Sequence, residues 1–287
     1  MPRPGPCVCN HCSMTKPVED MHMSVIARPR TGEVVSVEPT VKRVRVMFGG
    51  EIVADSHRTL ILFEQGHLPV YYFPLEDVRE DLLEPSEKHT TCPRKGEASY
   101  FSVRSGGRVA EDAVWHYPEP IDACPDISGH VAFYWSRMDS WWEEDDQVFK
   151  HARDPYHRVD VLRSSRHVRV ELDGAVVAET DRPLLLVETG LPPRWYIPRA
   201  DVRVDLLTPS DTHSTCPYKG VAEYWTATVG GTTYEDIVWS YPAPLPECPK
   251  IEQAMCFFHE RDTVTLTVDG EQLERPETHW SRTVEDR

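Results

Sequence analysis

Two short segments carry residue types that could do chemistry, and both have the pattern His-x-x-Cys-Pro-x-Lys-Gly. They are residues 89–96 and residues 213–220. A thiol flanked by a histidine and a lysine can have a lowered pKa and act as a nucleophile. The candidate catalytic residues are Cys92, Cys216, Lys95 and Lys219. The alternative is that each cysteine is a small buried apolar side chain in a rigid turn.

The same segments could also bind a metal, because histidine nitrogen and cysteine sulfur are good zinc ligands. His89 and Cys92, with the distant Cys124, give three ligands, one fewer than structural zinc usually has. A second group of possible ligands lies near the N-terminus and consists of Cys7, Cys9, His11 and Cys12. This group is one short run without a partner pair, so we expect no metal and no cofactor.

Binding of a small molecule is a third interpretation. A lysine before a glycine places a cation on a loop that a ligand can approach closely, and Arg58 and Arg182 could add a second cation. Tyrosine and tryptophan side chains could line an apolar cleft with polar tips. The candidate ligand-binding residues are Arg58, Tyr72, His89, Lys95, Tyr100, Glu111, Trp115 and Tyr117, with Arg182, Tyr196, His213, Lys219, Tyr224, Glu235, Trp239 and Tyr241 as their counterparts.

A purely structural role for these residues is the competing interpretation. The aromatic side chains would then form the core, and each lysine would pair with a nearby acid. In the first segment that acid would be Glu111 or Asp112, and in the second Glu235 or Asp236.

The elements that position these residues occur twice. Residues 44–135 recur as residues 168–259 at a constant offset of 124, with roughly half of the positions identical. This period exceeds the ~20–50 residues of solenoid repeats and indicates two whole domains in tandem, an intramolecular pseudo-dimer. We predict a flexible cysteine-containing tail at 1–23, a first domain at 24–135, an ordered linker at 136–167 and a second domain at 168–287.

The local patterns indicate β-structure. Gly49-Gly50 and Asp173-Gly174 each separate alternating apolar residues, which is a strong hairpin signal. The 25 prolines suit short strands and not long helices. We therefore predict an all-β fold with minor short helices and about seven strands per domain. Asp77 and Asp201 are predicted to cap the N-termini of the short helices.

Composition excludes some partners. The net charge of −16 would repel a nucleic-acid backbone. No apolar run approaches the ~18 residues of a membrane span, and residues 1–19 lack the apolar stretch of a secretory signal. We expect a cytoplasmic protein that contacts neither nucleic acid nor membrane.

The most specific motifs are residues 91–96 and 215–220, the two Trp-x-Tyr-Pro sequences at Trp115–Pro118 and Trp239–Pro242, and the phrase at Asp154–Asp160. Together they resemble a bacterial family called domain of unknown function 427, in its tandem form. Arg94 departs from the family pattern, which has tyrosine there. The resemblance implies a β-tent fold, similar to methionine sulfoxide reductase B, the Yippee proteins and the ligand domain of cereblon.

The resemblance implies no established reaction. The family is also labelled nucleotidyltransferase-like, but the sequence has neither a Gly-Ser followed by an Asp-x-Asp pair nor a phosphate-cradling loop. We expect each domain to bind, and the sequence leaves open whether it also transforms, a small anionic organic molecule at its Cys-Pro-x-Lys-Gly loop. The alternative is a non-catalytic recognition module that uses an aromatic cleft.

Overall fold

The computed structural model describes residues 34–278 and consists of antiparallel β-strands joined by short turns, which confirms the all-β prediction. The first half, residues 35–148, contains eleven strands. They are β1 (Val35–Pro39), β2 (Val44–Phe48), β3 (Glu51–Ser56), β4 (Leu60–Glu64), β5 (Val70–Pro74), β6 (Leu83–Cys92), β7 (Gly96–Ser105), β8 (Arg108–His116), β9 (His130–Phe133), β10 (Ser140–Glu143) and β11 (Asp146–Val148).

The second half, residues 159–272, repeats this order, at the same offset as far as β20 and one residue further on in β21 and β22. Its strands are β12 (Val159–Arg163), β13 (Val168–Leu172), β14 (Ala175–Thr180), β15 (Leu184–Glu188), β16 (Arg194–Tyr196), β17 (Leu207–Cys216), β18 (Gly220–Val229), β19 (Thr232–Ser240), β20 (Met255–Phe257), β21 (Val264–Val268) and β22 (Glu271–Gln272). Within residues 34–278, no helix combines the length and apolar character needed to cross a membrane.

The structural repeat extends beyond residues 44–135 and 168–259. β10 pairs with β11 and with β2, and β21 pairs with β22 and with β13 in the same way. The stretch that the sequence predicts to be a linker therefore contributes β10 and β11 to the first half and β12 to the second. The prediction of about seven strands per domain is too low, because these short strands share little sequence identity.

Each half packs two layers. In the first half, one sheet has the strand order β1-β4-β5-β9-β8-β7-β6 and the other β11-β10-β2-β3. In the second half, the large sheet is interrupted between β16 and β20. Reciprocal backbone hydrogen bonds of 2.7 and 2.9 Å between Ile197 and Met255 still join its two parts.

The large sheet is covered on both faces, and β5 illustrates this. Side chains alternate across a strand, so Tyr71 and Phe73 enter the core between the two sheets, whereas Tyr72 enters a second core on the opposite face. That second core also contains Tyr100, Tyr117 and Cys124. The candidate aromatic side chains therefore lie together on the outer face of the large sheet.

The predicted hairpins are confirmed at both turns. Gly49 and Gly50 have φ of +61° and +85°, and Asp173 and Gly174 have +45° and +82°, the left-handed values that two-residue hairpins require. The helix-capping prediction is wrong. Asp77 ends a single 3-10 turn, Leu75–Asp77, and its carboxylate instead accepts a 2.6 Å hydrogen bond from the Ser56 hydroxyl. Asp201 likewise ends Arg199–Asp201 and accepts from Thr180 at 2.7 Å.

The connecting residues 149–158 contact both halves. The Tyr156 hydroxyl donates to the Glu38 carboxylate at 2.6 Å, and its ring packs edge-on against Phe63. On the other side, the Asp154 backbone N–H donates to the Tyr218 hydroxyl at 2.8 Å. The connector is thus held by side chains of β1, β4 and the turn after β17.

Candidate functional site

A cleft of about 670 Å³ opens on the outer face of the large sheet in the first half. It brings together five of the sequence-predicted residues, which are Tyr72, Lys95, Tyr100, Trp115 and Tyr117. They come from β5, β7 and β8, from the turn between β6 and β7, and, for Tyr117, from the residue that follows β8. Their convergence follows from the sheet order, in which β5 and β8 flank β9.

An ion pair lies at one end of the cleft. The Lys95 ammonium is bonded to the Glu64 carboxylate, and their side chains are only 8% and 11% exposed. Arg94 Nη1 lies 3.3 Å from the other Glu64 oxygen. Burial raises the pKa of Glu64, but the bonded Lys95 ammonium outweighs this and holds that pKa below its ordinary value of 4.5. The predicted pairing of Lys95 with Glu111 or Asp112 is therefore wrong.

The Cys-Pro-x-Lys-Gly turn fixes the position of Lys95. The Lys95 backbone N–H donates to the Cys92 carbonyl at 3.3 Å, and the Lys95 carbonyl accepts from the Ile121 N–H at 3.2 Å. Gly96 has φ of +107°, and a Cβ there would lie 3.2 Å from the Glu119 carbonyl oxygen. Glycine is favoured because side-chain-bearing residues rarely adopt this conformation and a Cβ would crowd the carbonyl oxygen.

Aromatic rings form the walls of the cleft. The Trp115 indole N–H donates to the Tyr72 hydroxyl at 3.1 Å, and the Trp115 and Tyr134 rings lie 4.7 Å apart. Burial raises the pKa of Tyr72 and of Tyr117. Both phenols are therefore neutral at physiological pH and can donate as well as accept hydrogen bonds.

Besides apolar side chains, sequence reasoning missed Glu64, His67 and Tyr134 in the lining of the cleft. Glu64 left a signal, since Glu188 stands at the corresponding position and an acid is therefore present in both halves. His67 and Tyr134 left none, because Leu191 and Phe258 replace them in the second half.

Other predicted residues lie elsewhere. Arg58 pairs with Glu76 and Asp77, and Arg182 pairs with Asp201, so neither arginine joins the lysine of its half. His89, His213, Glu111 and Glu235 are exposed on the surface.

The cysteines differ in their surroundings. Cys92 and Cys216 are half-buried, whereas Cys124 and Cys248 are buried. Burial raises the pKa of the Cys124 thiol and raises that of Cys248 to about 11. The His89 imidazole lies 3.3 Å from the Ser99 hydroxyl, away from the cleft.

Metal-ligating side chains do not cluster in residues 34–278, where no three His, Cys, Asp or Glu are arranged to hold an ion. The run Cys7, Cys9, His11 and Cys12 lies outside the described residues.

The second half contains the same ion pair in a more covered form. Lys219 is bonded to Glu188, whose side chain is 5% exposed. The other Glu188 oxygen lies 3.0 Å from His157 Nε2, contributed by the connector. The His157 ring stacks on Tyr218, the counterpart of Arg94, with centroids 4.0 Å apart. The connector thus covers the Glu188 carboxylate, whereas its counterpart in the first half, Glu64, borders an open cleft.

A second substitution places a charged side chain in the counterpart of the cleft. Arg194 stands where the first half has Val70. Its guanidinium carbon lies 5.4 Å from the centre of the Trp239 ring, and its Nη1 lies 2.8 Å from the buried carboxylate of Glu260. Glu260 in turn replaces Ser136. The two halves therefore share the ion pair and differ in what lies above the tryptophan.

Comparison with known proteins identifies one family. Its model, described as a domain of unknown function (DUF427), matches residues 36–144 and again residues 160–271. The two matches start 124 residues apart, as the repeat does, and together they cover most of the chain. No match was found among the curated proteins.

Proposed function

The chain belongs to the DUF427 family as a tandem of two of its domains, and from this premise we propose that it binds a small organic molecule in the cleft of its first half. The observation that carries the proposal is the buried Lys95–Glu64 ion pair at the end of a cleft walled by aromatic rings. The volume of about 670 Å³ is within the ~300–1,000 Å³ of typical ligand sites.

The side chains of the cleft suggest the chemical class of the ligand. Lys95 and Arg94 together carry one more positive charge than Glu64 balances, which favours an anionic group at that end. Trp115 and Tyr134 offer ring faces, and Tyr134 is 38% exposed. A molecule with a flat apolar part and a carboxylate or similar anionic group is complementary to both features.

We propose one binding site per chain, whereas the sequence led us to expect one in each of the two domains. In the second half, Arg194 and His157 occupy the faces of Trp239 and Tyr218. We therefore propose that the second half supports the fold and the connector without binding this ligand. No reaction is assigned to the first-half cleft.

A screen of small aromatic carboxylates by thermal shift, followed by calorimetry of each hit, tests the proposal. We expect one bound molecule per chain. Tyr134→Ala and Arg94→Ala should each weaken binding about tenfold, since each removes one contact. Phe258→Ala, the counterpart of Tyr134→Ala, should leave affinity unchanged. A hit that keeps its affinity in both cleft variants would contradict the assignment.

A further inference from the structure

A groove of about 670 Å³ in the second half has four basic side chains in its lining. They are Arg163, Arg182, Arg199 and Lys250, with Glu252 as the acid that lines it with them. The groove lies beside edge strand β12, on a chain whose net charge is −16. A concentration of positive charge on such an acidic protein calls for a specific explanation.

Contacts with the surrounding structure hold three of these side chains in place. The Lys250 ammonium donates to the Val161 carbonyl at 2.7 Å. Arg182 bonds the Asp201 carboxylate at 3.0 and 3.1 Å, and the Arg199 guanidinium lies 4.6 Å from the centre of the Trp225 ring. Such preorganisation lowers the entropy that a ligand's binding would cost.

The positive charges that line the groove outnumber the negative charges beside them. Asp201 and Glu252 supply two negative charges against the four positive ones. Arg163 has no ion-pair partner within residues 34–278. Two positive charges therefore remain for a ligand to neutralise.

The first half shows that the fold does not require this charge. Three of the four basic positions are uncharged or acidic there, namely Pro39 for Arg163, Leu75 for Arg199 and Asp126 for Lys250. The fourth, Arg58, is held by both Glu76 and Asp77. Both halves have the same order of strands, so three of the four basic residues belong to the second half alone.

We propose that this groove binds a small molecule carrying two or more phosphate groups. Guanidinium groups match phosphate oxygens in a two-pronged geometry and stay charged at all physiological pH values. A single carboxylate would neutralise only one of the two unbalanced positive charges. The volume suits a small molecule, and the net charge of −16 repels an extended polyanion such as a nucleic acid. The site is separate from the first-half cleft.

Calorimetry of the full chain with inorganic triphosphate at low salt tests this proposal. We expect one triphosphate per chain, with an affinity that falls as salt screens the charges. The double variant Arg163→Ala, Arg199→Ala should bind about 25-fold more weakly, at about fivefold per exposed cation. Arg58→Ala, the first-half counterpart of Arg182→Ala, should bind with the affinity of the unaltered chain.

Three results would overturn the proposal. One is full affinity for triphosphate in the double variant. Another is that citrate, which carries three carboxylates, binds as tightly as triphosphate. The third is that a short single-stranded oligonucleotide binds more tightly than triphosphate. If the double variant proves unstable on heating, Arg163→Ala alone replaces it, because Arg163 is exposed and lacks an ion-pair partner in the described part of the chain.

Discussion

Lys95 and Glu64 form a buried ion pair at one end of the first-half cleft, and Lys219 and Glu188 form the same pair 124 residues later. In each pair the lysine follows β6 or β17 and the glutamate ends β4 or β15, so the bond ties the Cys-Pro-x-Lys-Gly turn to a strand of the large sheet. Because the pair occurs in both halves, we expect it to stabilise the fold whether or not a ligand is bound.

Removing the lysine should destabilise both halves, and the second half more. Lys219→Met leaves the Glu188 carboxylate buried without its ammonium, which costs about 3–5 kcal/mol in the free energy of unfolding. Lys95→Met should cost less, since the Glu64 side chain is more exposed, 11% against 5%. Urea denaturation measures both values. Adding Glu188→Leu to Lys219→Met should recover most of the loss, and a cost below about 0.5 kcal/mol would show that the pair is not structural.

Stability should fall in acid partly through Glu188. Burial raises the pKa of this carboxyl, but hydrogen bonds from His157 and Lys219 outweigh burial and hold the pKa below 4.5. A group whose folded pKa is lowered stabilises the protein above its unfolded pKa, and this stabilisation disappears as pH falls through the folded pKa. The loss should therefore begin near pH 4.5. Glu188→Gln should flatten the decline of unfolding free energy with falling pH below 4.5, and an unchanged slope would contradict the assignment.

The buried thiols should be slow to alkylate in the folded protein. Burial raises the pKa of Cys248 to about 11 and that of Cys256 to about 12. At pH 8 only about one Cys248 thiol in a thousand would be ionised, and the thiolate is the reactive form. Iodoacetamide labelling followed by peptide mass spectrometry should find both cysteines protected until the chain is denatured. Rapid native labelling of Cys256 would contradict its burial.

One glycine in the first half should be far less replaceable than its counterpart. Gly106 has φ of +56°, and a Cβ there would lie 2.3 Å from the Gly49 carbonyl oxygen. Gly230 has φ of +58°, and a Cβ there meets nothing within 4 Å. Gly230→Ala should cost about 1–2 kcal/mol for the left-handed conformation alone. Gly106→Ala should cost clearly more, because the two hairpin turns would have to separate. Equal unfolding free energies for the two variants would disprove the close approach.

Much of the fold follows from the sequence, because hairpin turns such as Asp173-Gly174 have a local chemical signature. The repeat adds to this, since a strand or turn predicted in one half is also predicted at the corresponding residues of the other. β10 and β11 leave little signature, since Ser140–Glu143 and its counterpart share only the alternation of a strand.

The site is harder to predict because its contacts span the chain. Lys95 meets an acid 31 residues away, while the sequence suggested acids on the following hairpin. Strand order decides this contact, and no local pattern encodes it. Arg58 likewise pairs with Glu76 and Asp77, which lie on a later turn. The residues next to Arg58 in the sequence do not indicate this pairing.

Two substitutions should give the second half a cleft like that of the first half. Arg194→Val copies Val70 but leaves the Glu260 carboxylate, fully buried, without its guanidinium, which should cost about 3–5 kcal/mol in unfolding free energy. Adding Glu260→Ser copies Ser136 and removes that charge, so the double variant should regain most of the stability.

The double variant should also expose the face of Trp239 and create a second, weaker binding event for any ligand of the first-half cleft. Urea denaturation and calorimetric stoichiometry measure the two effects. If the double variant is as unstable as Arg194→Val alone, the two residues are not coupled, and the second half is closed by something other than this pair.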